Sequence, residues 1–170
     1  MTVDELNVLG PADVRGILEA CCGSSKWIDE MIARRPFGSV GAVLEAADEV
    51  WRQTGPEDWL EAFNHHPRIG ETRAANLQGD LAAGWSKGEQ ATAGKSDNLV
   101  QEQLADVNRR YEERFGYIYI VCATGRPAQE LLAIAKDRMS NDRETELRVA
   151  AEEQRKITQL RLRKLFEVNQ

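Results

Sequence analysis

The chain has 170 residues, enough for one domain with a real core, and its 42% hydrophobic and 29% charged shares are ordinary for a soluble globular protein. A net charge of −6 argues against sequence-independent grip on a phosphate backbone, and no apolar run approaches the roughly 20 residues that span a bilayer. The acidic start MTVDELNVLG lacks the basic and apolar regions of a signal peptide, the end FEVNQ is not an SKL-type address, and Cys21, Cys22 and Cys122 form no paired framework; the expected home is a reducing cytoplasm.

Most of the chain repeats apolar residues at helical spacing. After Gly10-Pro11, ADVRGILEACC puts Val14, Ile17, Leu18 and Cys21 or Cys22 on one face, and Gly23 ends it. Ser24 or Ser25 can cap the next helix, KWIDEMIARR, whose stripe of Trp27, Ile28, Met31 and Ile32 runs up to Pro36. Ser39 opens VGAVLEAADEVWRQT, with Val40, Val43, Leu44, Ala47 and Trp51 inward. Gly55-Pro56 restarts the chain as EDWLEAFNHHP, a short helix that must stop at Pro67. From Gly70 to Gly94 the chain is rich in Ala and Gly without a single strong stripe, which predicts short helical turns and loops. A long helix follows in SDNLVQEQLADVNRRYEERFG, with Leu99, Leu104, Val107, Tyr111 and Phe115 inward and Gly116 as its stop. YIYIVCA is the only persuasive extended segment; with no partner strand in sight, it is expected to lie across helices as a buried connector. Pro127 opens the helix AQELLAIAKDRMS, and Asn141-Asp142 starts the last and longest one, ETELRVAAEEQRKITQLRLRKLFE. The predicted architecture is all-α: a single-domain helical bundle over residues 1–170 with one short extended segment at about 117–123.

Three stretches carry possible chemistry. FNHHPRIGE holds both histidines of the chain. A zinc site needs three or four His, Cys or carboxylate ligands, often with two His one helical turn apart. Adjacent His65 and His66 point about a third of a turn apart and cannot easily share an ion, so no metal is expected. A histidine before proline can simply bond a free carbonyl at the helix end. Pro67 also biases His66 toward extended geometry, however, and aims its imidazole from a rigid corner. SKGEQ reads either as a capping box, Ser86 capping and Glu89 bonding back, or as a carboxylate beside the Gln90 amide, a fork suited to a ureido or imide group. In LRLRKLF, most arginines read as solvated or paired with Glu152 and Glu153, while Arg161, between Leu160 and Leu162, could clamp an anion. Cys122, in an apolar segment, reads as buried filler.

Taken together, these stretches resemble one family. HHPRIGE is similar to the HPxLG corner, SKGEQ to the SxxEQ turn, FGYIYIVCATGR to the FGFxFxxxxxGR segment, and ELRVAAEEQRKITQLRL to the ending of the 2-oxo-4-hydroxy-4-carboxy-5-ureidoimidazoline (OHCU) decarboxylases; RPFGSV is similar to their RPF corner. The resemblance runs over nearly all of the chain in the right order. It implies an all-helical, cofactor-free, usually dimeric enzyme that acts on a small molecule, OHCU, in the last step from urate to (S)-allantoin. It also implies that His66 is the essential histidine and His65 is not, and that Pro67 lines the pocket. Ser86, Glu89 and Gln90 would bind substrate, with Glu89 also catalytic. The backbone of Tyr119, Ile120, Val121, Cys122 and Ala123 would meet the planar ring, and Arg161 an anionic or carbonyl group. Ile69 and Arg68 depart from the family's usual Leu and frequent Asp. Two other classes compete: a non-catalytic helical binding or interaction protein on the same fold, which the intact set of His66, Glu89, Gln90 and Arg161 disfavours, and a ureido-ring hydrolase, which would need an activated water and usually a metal.

Overall fold

A computed structural model describes residues 1–69, 80–95 and 97–167. Among these the architecture is all-α, as the periodicity predicts: α1 (Val3–Val8), α2 (Pro11–Cys21), α3 (Ser25–Ala33), α4 (Val40–Arg52), α5 (Pro56–Phe63), α6 (Asp80–Glu89), a 3-10 turn (Ala93–Lys95), α7 (Asn98–Phe115), α8 (Ala128–Arg138) and α9 (Arg143–Glu167). Two compact units are distinguished, one of Met1–Ala62 with Arg155–Gln170 and one of Phe63–Gln154.

In the first unit, α1 was not visible as an apolar stripe, because only Leu6 of its six residues is buried. A capping box makes it: Glu5 N donates to Thr2 Oγ1 at 3.1 Å, and Thr2 N donates to Glu5 Oε2 at 2.7 Å. Ser24 caps α3 through Trp27 N, and Ser39 caps α4 through Ala42 N, at the expected positions. Val14 and Leu18 of α2, Trp27, Ile28 and Met31 of α3, and Val43, Ala47, Val50 and Trp51 of α4 are buried. Each fully buried large side chain of this kind contributes about 1.5–3 kcal/mol. Trp27 also satisfies its one polar atom, since Nε1 donates to Ala47 O at 3.1 Å. Val40, expected inward, is 37% exposed; it is the first residue of α4, where the helix has not yet turned onto the core. The later part of α9 contributes Arg155 Nη1, 3.0 and 2.9 Å from the two Asp48 oxygens, and Gln159 Nε2, which donates to Leu44 O at 2.8 Å.

In the second unit, Asp97 caps α7 through Val100 N, and Gly116, at φ 84°, ends it in the left-handed conformation that glycine adopts without strain. The core side of α7 carries Leu104, Val107, Tyr111 and Phe115. Leu99, also expected inward, lies in the first turn and is 63% exposed. The segment 117–123 forms no strand but runs as irregular, mostly buried chain. Its backbone and aromatic tips are held from the side: Tyr119 Oη donates to Leu131 O at 3.0 Å and Arg138 Nη1 donates to Ile120 O at 2.8 Å. Arg138 is itself fixed by the fully buried Glu146, with Nε 2.7 Å from Oε1. Tyr111 Oη donates to the same Oε1 at 2.5 Å and Asn141 Nδ2 donates to Oε2 at 2.9 Å, so both carboxylate oxygens are bonded. Sequence spacing gave no hint of this ion pair.

Candidate functional site

The site is built in the second unit, starting from the corner after α5. That helix ends at Phe63, earlier than the Pro67 stop expected from sequence, because His66 N closes a turn onto Phe63 O at 3.1 Å. His66 therefore stands outside the helix, half-buried, as the following proline requires; His65 and Pro67 are half-buried too. The corner is fastened to α7 at two points beyond Pro67. Arg68 forks the Glu112 carboxylate, Nε to Oε2 at 2.9 Å and Nη2 to Oε1 at 2.8 Å, which holds that carboxyl below its usual range. Asn108 Nδ2 donates to Ile69 O at 3.0 Å. The two residues that depart from the family pattern are thus the ones whose side chain or carbonyl ties the corner down.

The imidazole has a partner that sequence reasoning missed. His66 Nε2 lies 2.6 Å from Oε1 of Gln154, a fully buried residue of α9. Its neighbour Glu153, also buried, accepts from Cys122 N at 2.8 Å through Oε2. Glu153, read from sequence as an ion-pair partner for arginines, is buried and stitches α9 to the segment 117–123. A signal for both residues was present: Glu153 and Gln154 fall three and four residues after Ala150 and four and three before Ile157, on the inward face of α9. Their polarity concealed it.

Within segment 117–123 some backbone groups are bonded inside the protein. Tyr119, Ile120, Val121 and Ala123 are buried, but the Cys122 N–H is taken by Glu153 and the Ile120 carbonyl by Arg138. The Cys122 thiol is pushed up, first by burial and then by the negative charges of Glu153 and Glu89, which brings Glu89 within electrostatic reach of the same segment.

Ser86 and Glu89 are buried and one helical turn apart on α6, so they share a face; Gln90 follows directly, half-buried, its N–H donating to Ser86 O at 3.2 Å. Ser86 sits in the last turn of α6 and cannot cap its start, so the capping-box reading of SKGEQ is corrected. The expectation of short turns over 70–94 is likewise corrected for 80–89, which is one helix; residues 70–79 lie outside the described ones.

Arg161 belongs to the first unit, where it is buried and its Nη1 donates to Ala20 O at 3.0 Å. Near it, burial pushes the Cys22 thiol up to about 11, against the opposing effects of bonds with Ser24 and Thr158 and of the Arg161 charge. Among the described residues, no group of three or more His, Cys, Asp or Glu side chains has the geometry to hold a metal ion, and no helix is long and apolar enough to cross a membrane.

The second unit thus holds an imidazole bonded to a neutral amide, a carboxylate fixing a backbone amide, and a second buried carboxylate, Glu89, whose charge acts on the Cys122 thiol. Such a set can move protons. A family profile described as OHCU decarboxylase matches residues 7–163. The chain is 41% identical over 149 residues to the uric acid degradation bifunctional protein TTL of Arabidopsis thaliana, covering 87% of this chain and 46% of that protein. It is 28% identical over 146 residues to a 2-oxo-4-hydroxy-4-carboxy-5-ureidoimidazoline decarboxylase of Haloferax volcanii, covering 84% and 82%. The crystal structure of an OHCU decarboxylase in the presence of (S)-allantoin superposes with a TM-score of 0.77 at 36% identity, covering 89% of this chain and 98% of that one. The chain spans less than half the length of the bifunctional relatives it matches, 46% of the Arabidopsis protein and 32% of one from Bacillus sp. (strain TB-90).

Proposed function

Since the chain belongs to the OHCU decarboxylase family, we propose that it is a carboxy-lyase converting OHCU to (S)-allantoin in urate breakdown, without a cofactor, as a homodimer in the cytoplasm. The observation that carries the reading is His66, a half-buried imidazole set on a proline corner and held 2.6 Å from a buried amide, in the same unit as the buried Glu89.

The chemistry asks little of the protein beyond positioning and proton delivery. The carbon that bears the carboxylate adjoins a C=N bond. When the C–C bond to the carboxylate breaks, CO2 leaves and the electron pair moves into the ring, with the imine nitrogen accepting charge. Binding that sets the breaking bond perpendicular to the ring plane favours this flow. The enol-like product then takes a proton at the adjacent carbon, and the face on which it arrives fixes the handedness of allantoin. His66 is assigned that delivery, because imidazole exchanges protons near neutral pH. Glu89 would orient the substrate hydroxyl or relay its proton. Ser86 and Gln90, with Pro67 and the segment Tyr119–Ala123, would hold the ureido group and ring. Arg161 is assigned an anionic or carbonyl group of the substrate on resemblance alone.

The test supplies freshly generated OHCU and follows the circular dichroism of allantoin. Formation of (S)-allantoin faster than the uncatalysed decay is expected. Racemic product at the uncatalysed rate would overturn the assignment.

A further inference from the structure

We propose that Gln154 is a positioning residue that fixes the proton pattern of His66, keeping hydrogen on Nε2 so that Nδ1 is the nitrogen that gains and loses a proton. An amide oxygen only accepts hydrogen bonds, so the 2.6 Å approach of Gln154 Oε1 to Nε2 requires an N–H there. That requirement is the same for the neutral ring and for the imidazolium. The proton that comes and goes is therefore the one on Nδ1.

The geometry makes this a firm constraint. Gln154 is fully buried on the inward face of α9, between the buried Ala150 and Ile157. At the other end, the His66 backbone is held by its bond to Phe63 O, and the chain just beyond by Asn108. The ring is thus fixed both at its root and at its far nitrogen. The choice of amide matters as well. A carboxylate in this place would also orient the ring but would add a charge and favour the imidazolium. A glutamine orients without altering the charge, so the ring remains able to act in either direction. Glu153, next on the helix, spends its charge on the Cys122 amide instead.

The catalytic consequence rests on the reading of His66 as the working imidazole, whereas the proton pattern belongs to the protein without substrate and can be seen directly. The chain has two histidines, so His65→Asn leaves one imidazole. Long-range proton–nitrogen NMR correlations on that variant above the His66 midpoint are expected to show the Nε2–H form of the neutral ring. Adding Gln154→Met, similar in shape but without an acceptor, should give a mixture of the two neutral forms, while Gln154→Glu should retain Nε2–H. In turnover, Gln154→Met should lower kcat by about 10- to 100-fold with little change in KM. An Nδ1–H ring in the presence of Gln154, or a pattern that Met leaves unchanged, overturns the proposal. Should the Met variant not fold, the spectrum of the Gln154 protein alone decides. Loss of decarboxylation in the unaltered protein would count against the proposed function and leave the NMR result standing.

Discussion

Arg138→Met should be among the most damaging single substitutions in the second unit. Arg138 donates to Glu146 Oε1 at 2.7 Å through Nε and to Ile120 O at 2.8 Å through Nη1. Removing it leaves a fully buried carboxylate with, among the described residues, Tyr111 and Asn141 as donors, and takes from the buried Ile120 carbonyl the Arg138 donor. Breaking one side of a buried ion pair costs about 3–5 kcal/mol, and orphaning a buried acceptor about 1–3 kcal/mol. The two overlap because relaxation around the cavity serves both, so a loss of about 4–6 kcal/mol is expected. Domains of this size hold about 5–15 kcal/mol in total. Urea titration at neutral pH, followed by far-ultraviolet circular dichroism, measures the change directly. The double variant Arg138→Met/Glu146→Leu removes the stranded charge and should recover more than half of the loss. A single-variant loss under about 1 kcal/mol, or a double variant no better than the single, would refute the argument that the pair is a closed, desolvated unit.

Three further outcomes are expected. His66→Asn should lower turnover about 10²- to 10⁴-fold while His65→Asn leaves most of it; equal effects in the steady-state assay would mean the wrong histidine was chosen. Burial raises the Cys22 thiol from 9.0 to about 11. The folded state then keeps a proton that the unfolded state releases, so this group's contribution is intact below pH 9 and is lost as pH rises toward 11. The difference in unfolding free energy between the unaltered chain and Cys22→Ala should therefore shrink across that window by roughly 2 kcal/mol, and a constant difference would count against it. Burial raises the Cys122 thiol, and the Glu153 charge raises it further; Glu153→Gln keeps an acceptor for Cys122 N but removes that charge. Iodoacetamide at pH 8 should accordingly modify Cys122 faster in that variant than in the unaltered chain, and an unchanged or slower rate would contradict the electrostatic argument.

Much of the fold was legible because most helices carry an apolar stripe. α2, α3, α4, α7 and α8 follow Leu, Ile, Val and Trp at helical spacing, with Ser24, Ser39 and Gly116 marking ends. α6 was not legible: DLAAGWSKGE carries two glycines and little bulk, and its helicity is a matter of context rather than pattern. SKGEQ misled because Ser-x-x-Glu has one meaning at a helix start and another inside a last turn. At the candidate site, Pro67 singled out His66 from sequence. Gln154 escaped notice because its partner lies 88 residues away, and inward spacing is easily discounted for a polar residue. The Tyr111–Arg138–Glu146 cluster draws on three helices at once, and no local spacing encodes such a meeting.

The fastening of the Pro67 corner to α7 has a thermodynamic side. Fixing one residue's backbone costs about 1–2 kcal/mol in conformational entropy. With Arg68 gripping Glu112 and Asn108 holding Ile69 O, that cost falls on folding, when α7 forms. A ligand arriving beside His66 meets a ring already ordered and need not supply the loss from its own binding energy. Loosening either grip would shift the cost onto each encounter, as a more unfavourable entropy of binding, while leaving every group that touches the ligand in place.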